Sequence, residues 1–181
     1  MPPRRKQSLK KGAPKKNIVG LISINRRGTG YVAWPQPEGA QDIKIEKKQD
    51  IEVPTQYLNG ALNGDEVEIE VKGLSASGRP SRDGFPRPQG AVVAVAKRAK
   101  ETFVATIKRD GHQFLAVAAD LRFYKPIEIQ GGENFDEGEK VLVRLVSFSG
   151  SSNPTGVVEQ HIGKAGEHRV EMNAIVLEHG F

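Results

Sequence analysis

The sequence of 181 residues contains no cysteine, which excludes disulfide staples, thiolate zinc sites and a cysteine nucleophile. Long apolar runs are missing too. With 37% hydrophobic and 27% charged residues, the chain is too polar for a membrane-spanning helix and too apolar to be disordered throughout. No apolar targeting segment is present, and together with the missing cysteines this favours a reducing cytoplasm. Catalytic constellations are equally scarce. His112, His161, His168 and His179 show no metal-ligand spacing, and no nucleophile has an evident partner base. Asp42, Asp50, Asp65, Asp110, Asp120 and Asp136 fall at strand edges and turns, where a short carboxylate bonds nearby backbone amides. Neither a catalytic residue, a metal site nor a cofactor is expected in this chain.

Acid is absent from the first sixteen residues, which hold Arg4, Arg5, Lys6, Lys10, Lys11, Lys15 and Lys16. Of 27 Lys and Arg against 22 Asp and Glu, these seven account for more than the whole net charge of +5. Pro2, Pro3, Gly12 and Pro14 oppose a helix there, so residues 1–16 are expected to form a disordered basic tail. Such a run displaces condensed counterions from nucleic-acid phosphates and adds affinity without sequence choice.

What is abundant is alternation. In Glu66-Val67-Glu68-Ile69-Glu70-Val71 the apolar side chains share one face and the three glutamates the other, the pattern of a half-buried strand. Similar runs occur at Val19 to Asn25, Gly30 to Trp34, Asp42 to Glu46, Asp50 to Val53 and Ala91 to Ala96, bounded by Gly, Pro and Asn. The second half repeats the first. Ile24, Gly28, Tyr31 and Ala33 answer to Ile107, Gly111, Phe114 and Ala116; Ile51-Glu52-Val53 answers to Ile127-Glu128-Ile129, Gly64-Asp65-Glu66-Val67 to Gly138-Glu139-Lys140-Val141, and Pro88-Gln89-Gly90 to Pro154-Thr155-Gly156. The spacing shrinks along these matches, so the first copy carries inserts, the Asp42 to Lys48 ribbon and a turn-rich loop over 73–87.

Each copy then supplies about five strands, enough for a small closed barrel of the oligonucleotide-binding (OB) type, which removes exposed strand edges. The expected fold is all-β: a first barrel over 17–98, a second over 99–170, and a short helix beginning at 171–181. On that helix Met172, Ile175 and Val176 form one apolar face, and Gly180 is placed to cap it. The short Lys97-Arg98-Ala99-Lys100 junction holds the barrels close together.

The residues with binding chemistry begin at Arg26-Arg27-Gly28-Thr29-Gly30-Tyr31-Val32. The glycines permit a tight turn, Arg26 and Arg27 supply cations, and Tyr31 has the parity opposite Val32, hence faces solvent if Val32 is core. An exposed ring on a barrel strand is a platform for a nucleobase. In the second copy Arg109, His112 and Phe114 are the counterparts, Phe114 standing for Tyr31 and Asp110 diluting the charge. Arg79, Arg82 and Arg87 of the insert loop add phosphate contacts. Trp34 shares the parity of Val32 and is read as packing.

Arg26 to Val32 resembles the first ribonucleoprotein motif of cold-shock domains, with Thr29 in place of an aromatic. Asp50-Ile51-Glu52-Val53-Pro54 followed by Leu58-Asn59-Gly60-Ala61-Leu62-Asn63-Gly64-Asp65-Glu66-Val67 resembles the end of the first cold-shock domain of ribonuclease R and ribonuclease II-type exoribonucleases. Ala119-Asp120-Leu121-Arg122, Pro154 to Val158 and Glu171 to Phe181 are similar to that family's second cold-shock domain and its exit. A departure is Glu52, where the family commonly carries an aromatic. The resemblance implies a single-stranded RNA-binding region of a processive 3′ to 5′ exoribonuclease. The partner of these barrels would be the protein's own downstream nuclease domain, which holds magnesium and follows Phe181. The chain itself would bind RNA without cutting it. Two other readings stay open at this point: a free-standing nucleic-acid chaperone, and a protein-interaction module whose Glu66, Glu68 and Glu70 face docks a basic partner.

Overall fold

The computed structural model describes residues 17–33, 50–74, 87–131, 134–150 and 152–179. Seven of the expected positions therefore lie outside the described residues in the tail (Arg4, Arg5, Lys6, Lys10, Lys11, Lys15 and Lys16), as do Trp34, the Asp42 to Lys48 ribbon, Arg79, Arg82 and Gly180.

The alternating runs form strands β1 (Ile18–Ile24), β2 (Gly30–Val32), β3 (Ile51–Val53), β4 (Glu66–Leu74) and β5 (Pro88–Lys97). They close into a barrel in the order β1-β2-β3-β5-β4. All contacts in it are antiparallel except β3 with β5, where Glu52 lies opposite Gln89. Inward-facing Ile22, Ile24, Val32, Ile51, Val53, Val67, Ile69 and Val92 fill it, joined by Leu58 and Ala61 from the β3–β4 connection. Gly30 is required here because a Cβ would stand 2.6 Å from Ile22 Cδ1.

The second half builds the same barrel from β6 (Thr102–Asp110), β7 (Gln113–Ala118), β8 (Ile127–Ile129), β9 (Glu139–Ser147) and β10 (Thr155–Lys164). Its order is β10-β8-β7-β6-β9, with β10 and β8 parallel. The two tandem five-stranded barrels expected from the repeat are thus present, and one helix, α1 (His168–His179), follows them.

The helix differs from the sequence expectation. It starts at His168, and Val170 and Ala174 are its buried residues, whereas Met172, Ile175 and Val176 are 53%, 56% and 42% exposed. The reason lies in the barrel surface. Val170 occupies the space above Gly163, where any Cβ would come within 2.6 Å of Val170 Cγ2. At the other end Glu178 accepts the Val104 N–H at 3.0 Å and an Lys100 ammonium bond at 2.6 Å. These two attachments choose which face turns inward. Near the start of the helix Glu171 accepts Lys140 Nζ and the Gly166 N–H, and the Lys140 bond holds its carboxyl below the usual range.

Between the barrels lies a third, aromatic core. Leu62 of the first barrel meets Phe103 and Phe148 of the second, with Phe123, Tyr124 and Leu145 packed around them. Phe103 and Phe123 meet edge to face at 4.9 Å between centroids, a favoured geometry. Burial pushes the Tyr124 hydroxyl well above the usual phenol range despite nearby Arg98 and a backbone hydrogen bond at Gly60.

Candidate nucleic-acid interface

Tyr31 sits on β2 between Ser23 of β1 and Glu52 of β3. Because Gly30 and Val32 point into the core, its ring points outward and is half-buried. The Arg87 guanidinium lies over that ring, 5.4 Å from its centroid, a cation–π distance. Leu21, Ser23, Ala33 and Asp50 complete a groove of about 490 Å³ around the pair. Leu21 is 68% exposed. An outward aromatic, a cation above it and an apolar flank together offer a face for a flat base and a charge for its phosphate.

Arg26 and Arg27 are exposed on the β1–β2 turn. That turn is held by Asn25, whose Oδ1 accepts the Arg27 and Thr29 N–H groups at 2.8 and 3.1 Å. Gly28 takes φ +79 and accepts the Thr55 hydroxyl at 2.7 Å through its carbonyl. A Cβ on it would also meet Tyr124 of the second barrel at 3.4 Å, so the two arginines project beside the seam.

In the second barrel Arg109, His112 and Phe114 share the β6–β7 hairpin, but Phe114 does not occupy the place of Tyr31. Tyr31 stands opposite Glu52; opposite Glu128, the counterpart of Glu52, stands Leu115. Phe114 pairs with Arg109, as Gly30 pairs with Ile24, and packs against the barrel core. The Arg109 guanidinium covers it at 5.5 Å and its Nε reaches the Gly111 carbonyl at 3.3 Å. His112 is exposed at the hairpin tip. The second barrel therefore carries an aromatic–arginine pair at its rim instead of a platform on its side.

Sequence reasoning passed over two tyrosines. Tyr124 belongs to the seam. Tyr57 lies in a single 3-10 turn, Thr55–Tyr57, is 36% exposed, and has Lys72 Nζ 5.7 Å from its ring centroid. Its only sequence signal was Pro54, which ends β3 and hands the chain to a turn.

A second cleft of about 440 Å³ at the seam includes Lys100, Asp120, Arg122 and Glu178. Its cations are already committed, Lys100 to Glu178 at 2.6 Å and Arg122 to Asp120 at 2.8 Å. Among the described residues no group of three or more His, Asp or Glu converges. Nor is any described helix long and apolar enough to cross a membrane.

Two closed five-stranded barrels in tandem, one presenting a tyrosine and an arginine outward, define an OB-type fold. The cold shock domain family matches residues 116–181, and the chain is similar to ribonuclease R proteins over part of its length. Ribonuclease R of Chlamydia pneumoniae is 28% identical over 131 residues, 70% of this chain and 17% of that protein. Among solved structures, the apo form of Mycoplasma genitalium RNase R has TM-score 0.68 at 18% identity, covering 89% of this chain and 24% of that one. The same enzyme in complex with ribose methylated single-stranded RNA has TM-score 0.67 at 18% identity, covering 89% and 24%. Yeast Ssd1, a pseudonuclease, has TM-score 0.65 at 18% identity, covering 91% and 25%. The chain spans no more than about a quarter of the length of these relatives. The structural likenesses establish the fold.

Proposed function

We propose that this chain is the single-stranded RNA-binding region of a ribonuclease R-like 3′ to 5′ exoribonuclease, acting in the cytoplasm and passing RNA to a magnesium-dependent nuclease domain outside these residues. The observation that carries the proposal is the outward Tyr31 ring beneath Arg87, in a groove next to exposed Leu21. A base stacked on an aromatic contributes about 1–3 kcal/mol without reading sequence, which suits an enzyme that must accept any strand. Arg26, Arg27, Arg109 and His112 supply flanking phosphate contacts, and Arg79 and Arg82 extend that role to the insert loop.

Replacing Tyr31 by Ala is expected to weaken binding of a labelled oligouridylate about 5- to 150-fold, the equivalent of ~1–3 kcal/mol, and to leave the thermal unfolding curve in place. Anisotropy titration at low salt measures the first and circular dichroism the second; an unfolded variant would move Tyr31 into the core. The basic tail makes a separate contribution. On single strands each neutralised phosphate steepens log K against log salt by about 0.7, so deleting residues 1–16 with their seven cations should flatten that slope by up to about 5. The loss should be the same for oligouridylate and oligoadenylate, and an unaltered slope would remove the tail from the interface.

A further inference from the structure

Resting on that reading, we infer that Tyr57 and Lys72 form a second nucleobase platform on the first barrel, on the opposite side of Glu52 from Tyr31. The outward row across the barrel runs from Ser23 to Tyr31, Glu52 and Gln89, and reaches β4 at Gly73. Lys72 lies beside that last position, in a bulge between Val71 and Gly73 that leaves it without a partner on β5. Bulges commonly re-aim side chains at functional surfaces, and this one aims the Lys72 ammonium to 5.7 Å from the Tyr57 ring centroid. With about 4.8 Å between neighbouring strands, the three steps from β2 to β4 carry a strand across roughly 14 Å, a distance a few nucleotides span.

The platform is rigid. Tyr57 N–H bonds the Pro54 carbonyl at 2.8 Å, Leu58 N–H bonds the Thr55 carbonyl at 3.3 Å, and the Leu58 side chain is wholly buried in the barrel core. Thr55 in turn holds Gly28, so this turn and the one bearing Arg26 and Arg27 are fixed to each other. A tyrosine that stays 36% exposed on so constrained a backbone presents its ring at little ordering cost when a base arrives. Lys72 has Glu70 at 4.0 Å, a loose contact on an exposed lysine that a phosphate can displace. Cation and ring thus repeat at Tyr57 the pairing seen at Tyr31 and Arg87, with the intervening Glu52 keeping phosphate off the middle of the track.

The test is titration of the full chain and its Tyr57→Ala, Tyr57→Phe and Lys72→Ala variants with a fluorescein-labelled decauridylate. Tyr57→Ala is expected to weaken binding about 5- to 150-fold with its salt slope unaltered, because the ring carries no charge. Tyr57→Phe should stay within about twofold of the parent, since stacking needs the ring and not the hydroxyl. Lys72→Ala should flatten the salt slope by about 0.7. If the parent binds and Tyr57→Ala binds equally well while Tyr31→Ala does not, the second platform is overturned and the RNA-binding reading stands. If the parent itself fails to bind at low salt, the RNA-binding reading falls with it.

Discussion

Replacing Asp65 by Ala is expected to destabilise the protein by about 3–5 kcal/mol, the cost of leaving a buried charge without its partner. Asp65 is fully buried. Its Oδ2 accepts Arg98 Nη1 at 2.5 Å and the Leu62 N–H at 2.8 Å, and its Oδ1 accepts the Ala99 N–H at 2.8 Å. One carboxylate therefore ties the turn before β4 to the peptide that links the barrels. Arg98 also donates to the Gly60 carbonyl at 2.9 Å, so losing Asp65 strands a guanidinium and two amides in the seam. Equilibrium urea unfolding measures the loss. The Asp65→Ala and Arg98→Ala double-mutant cycle should show strong coupling, because either change alone abandons the other partner. A loss below about 1 kcal/mol would mean that water replaces the carboxylate, as at an exposed ion pair.

This role explains the stretch Leu58-Asn59-Gly60-Ala61-Leu62-Asn63-Gly64-Asp65, which carries the most specific part of the family resemblance. Leu58 and Ala61 belong to the first core, and Leu62 belongs to the seam. Asn59 Oδ1 accepts the Gly150 N–H of the second barrel at 2.9 Å, and Asn63 Oδ1 accepts the Ile24 N–H at 2.9 Å. The motif is a structural joint. Its residues are demanding because one short connection must satisfy two barrels at once.

Alternation in Glu66 to Val71 and the internal repeat made the two barrels legible, since period-two burial and ordered matches survive any loop length. That the second barrel lacks an aromatic at the Tyr31 position was not legible, and the cause is a single residue. Five residues, 25–29, separate paired Ile24 and Gly30, whereas four, 110–113, separate paired Arg109 and Phe114. A one-residue difference in a turn moves every later side chain to the other face. Matching Tyr31 to Phe114 because both are aromatic hid that slip. The inward face of α1 was not legible for a related reason: the helix pattern groups Met172, Ile175 and Val176 on one side, but the buried side is set by Gly163 and Val104 on the barrel. Tyr57 escaped notice because a lone aromatic in a turn has no period at all.

The joint can be opened without touching a charge. Gly60 has φ +81, and a Cβ there would stand 2.5 Å from the Phe148 carbonyl oxygen and 3.1 Å from Ser149 Cα, both of the second barrel. Alanine at Gly60 adds left-handed strain of about 1–2 kcal/mol to an overpacking cost of about 1–3 kcal/mol. Because the obstructing atoms are backbone, the strain is relieved by moving the barrels apart. Gly60→Ala should therefore lose about 2–5 kcal/mol, and small-angle scattering should show a larger radius of gyration. Gly111→Ala is the matched control: φ is +58, and nothing lies within 4 Å of the added methyl, so it should lose only the ~1–2 kcal/mol of strain and keep the parent's dimensions. Equal losses in the two variants, with unchanged scattering, would show that the seam yields freely and that the barrels are not held by this contact. If instead Gly60→Ala expands the chain and still binds a short oligouridylate through Tyr31, the platform of the first barrel works without the second, and the joint serves to align the strand as it leaves.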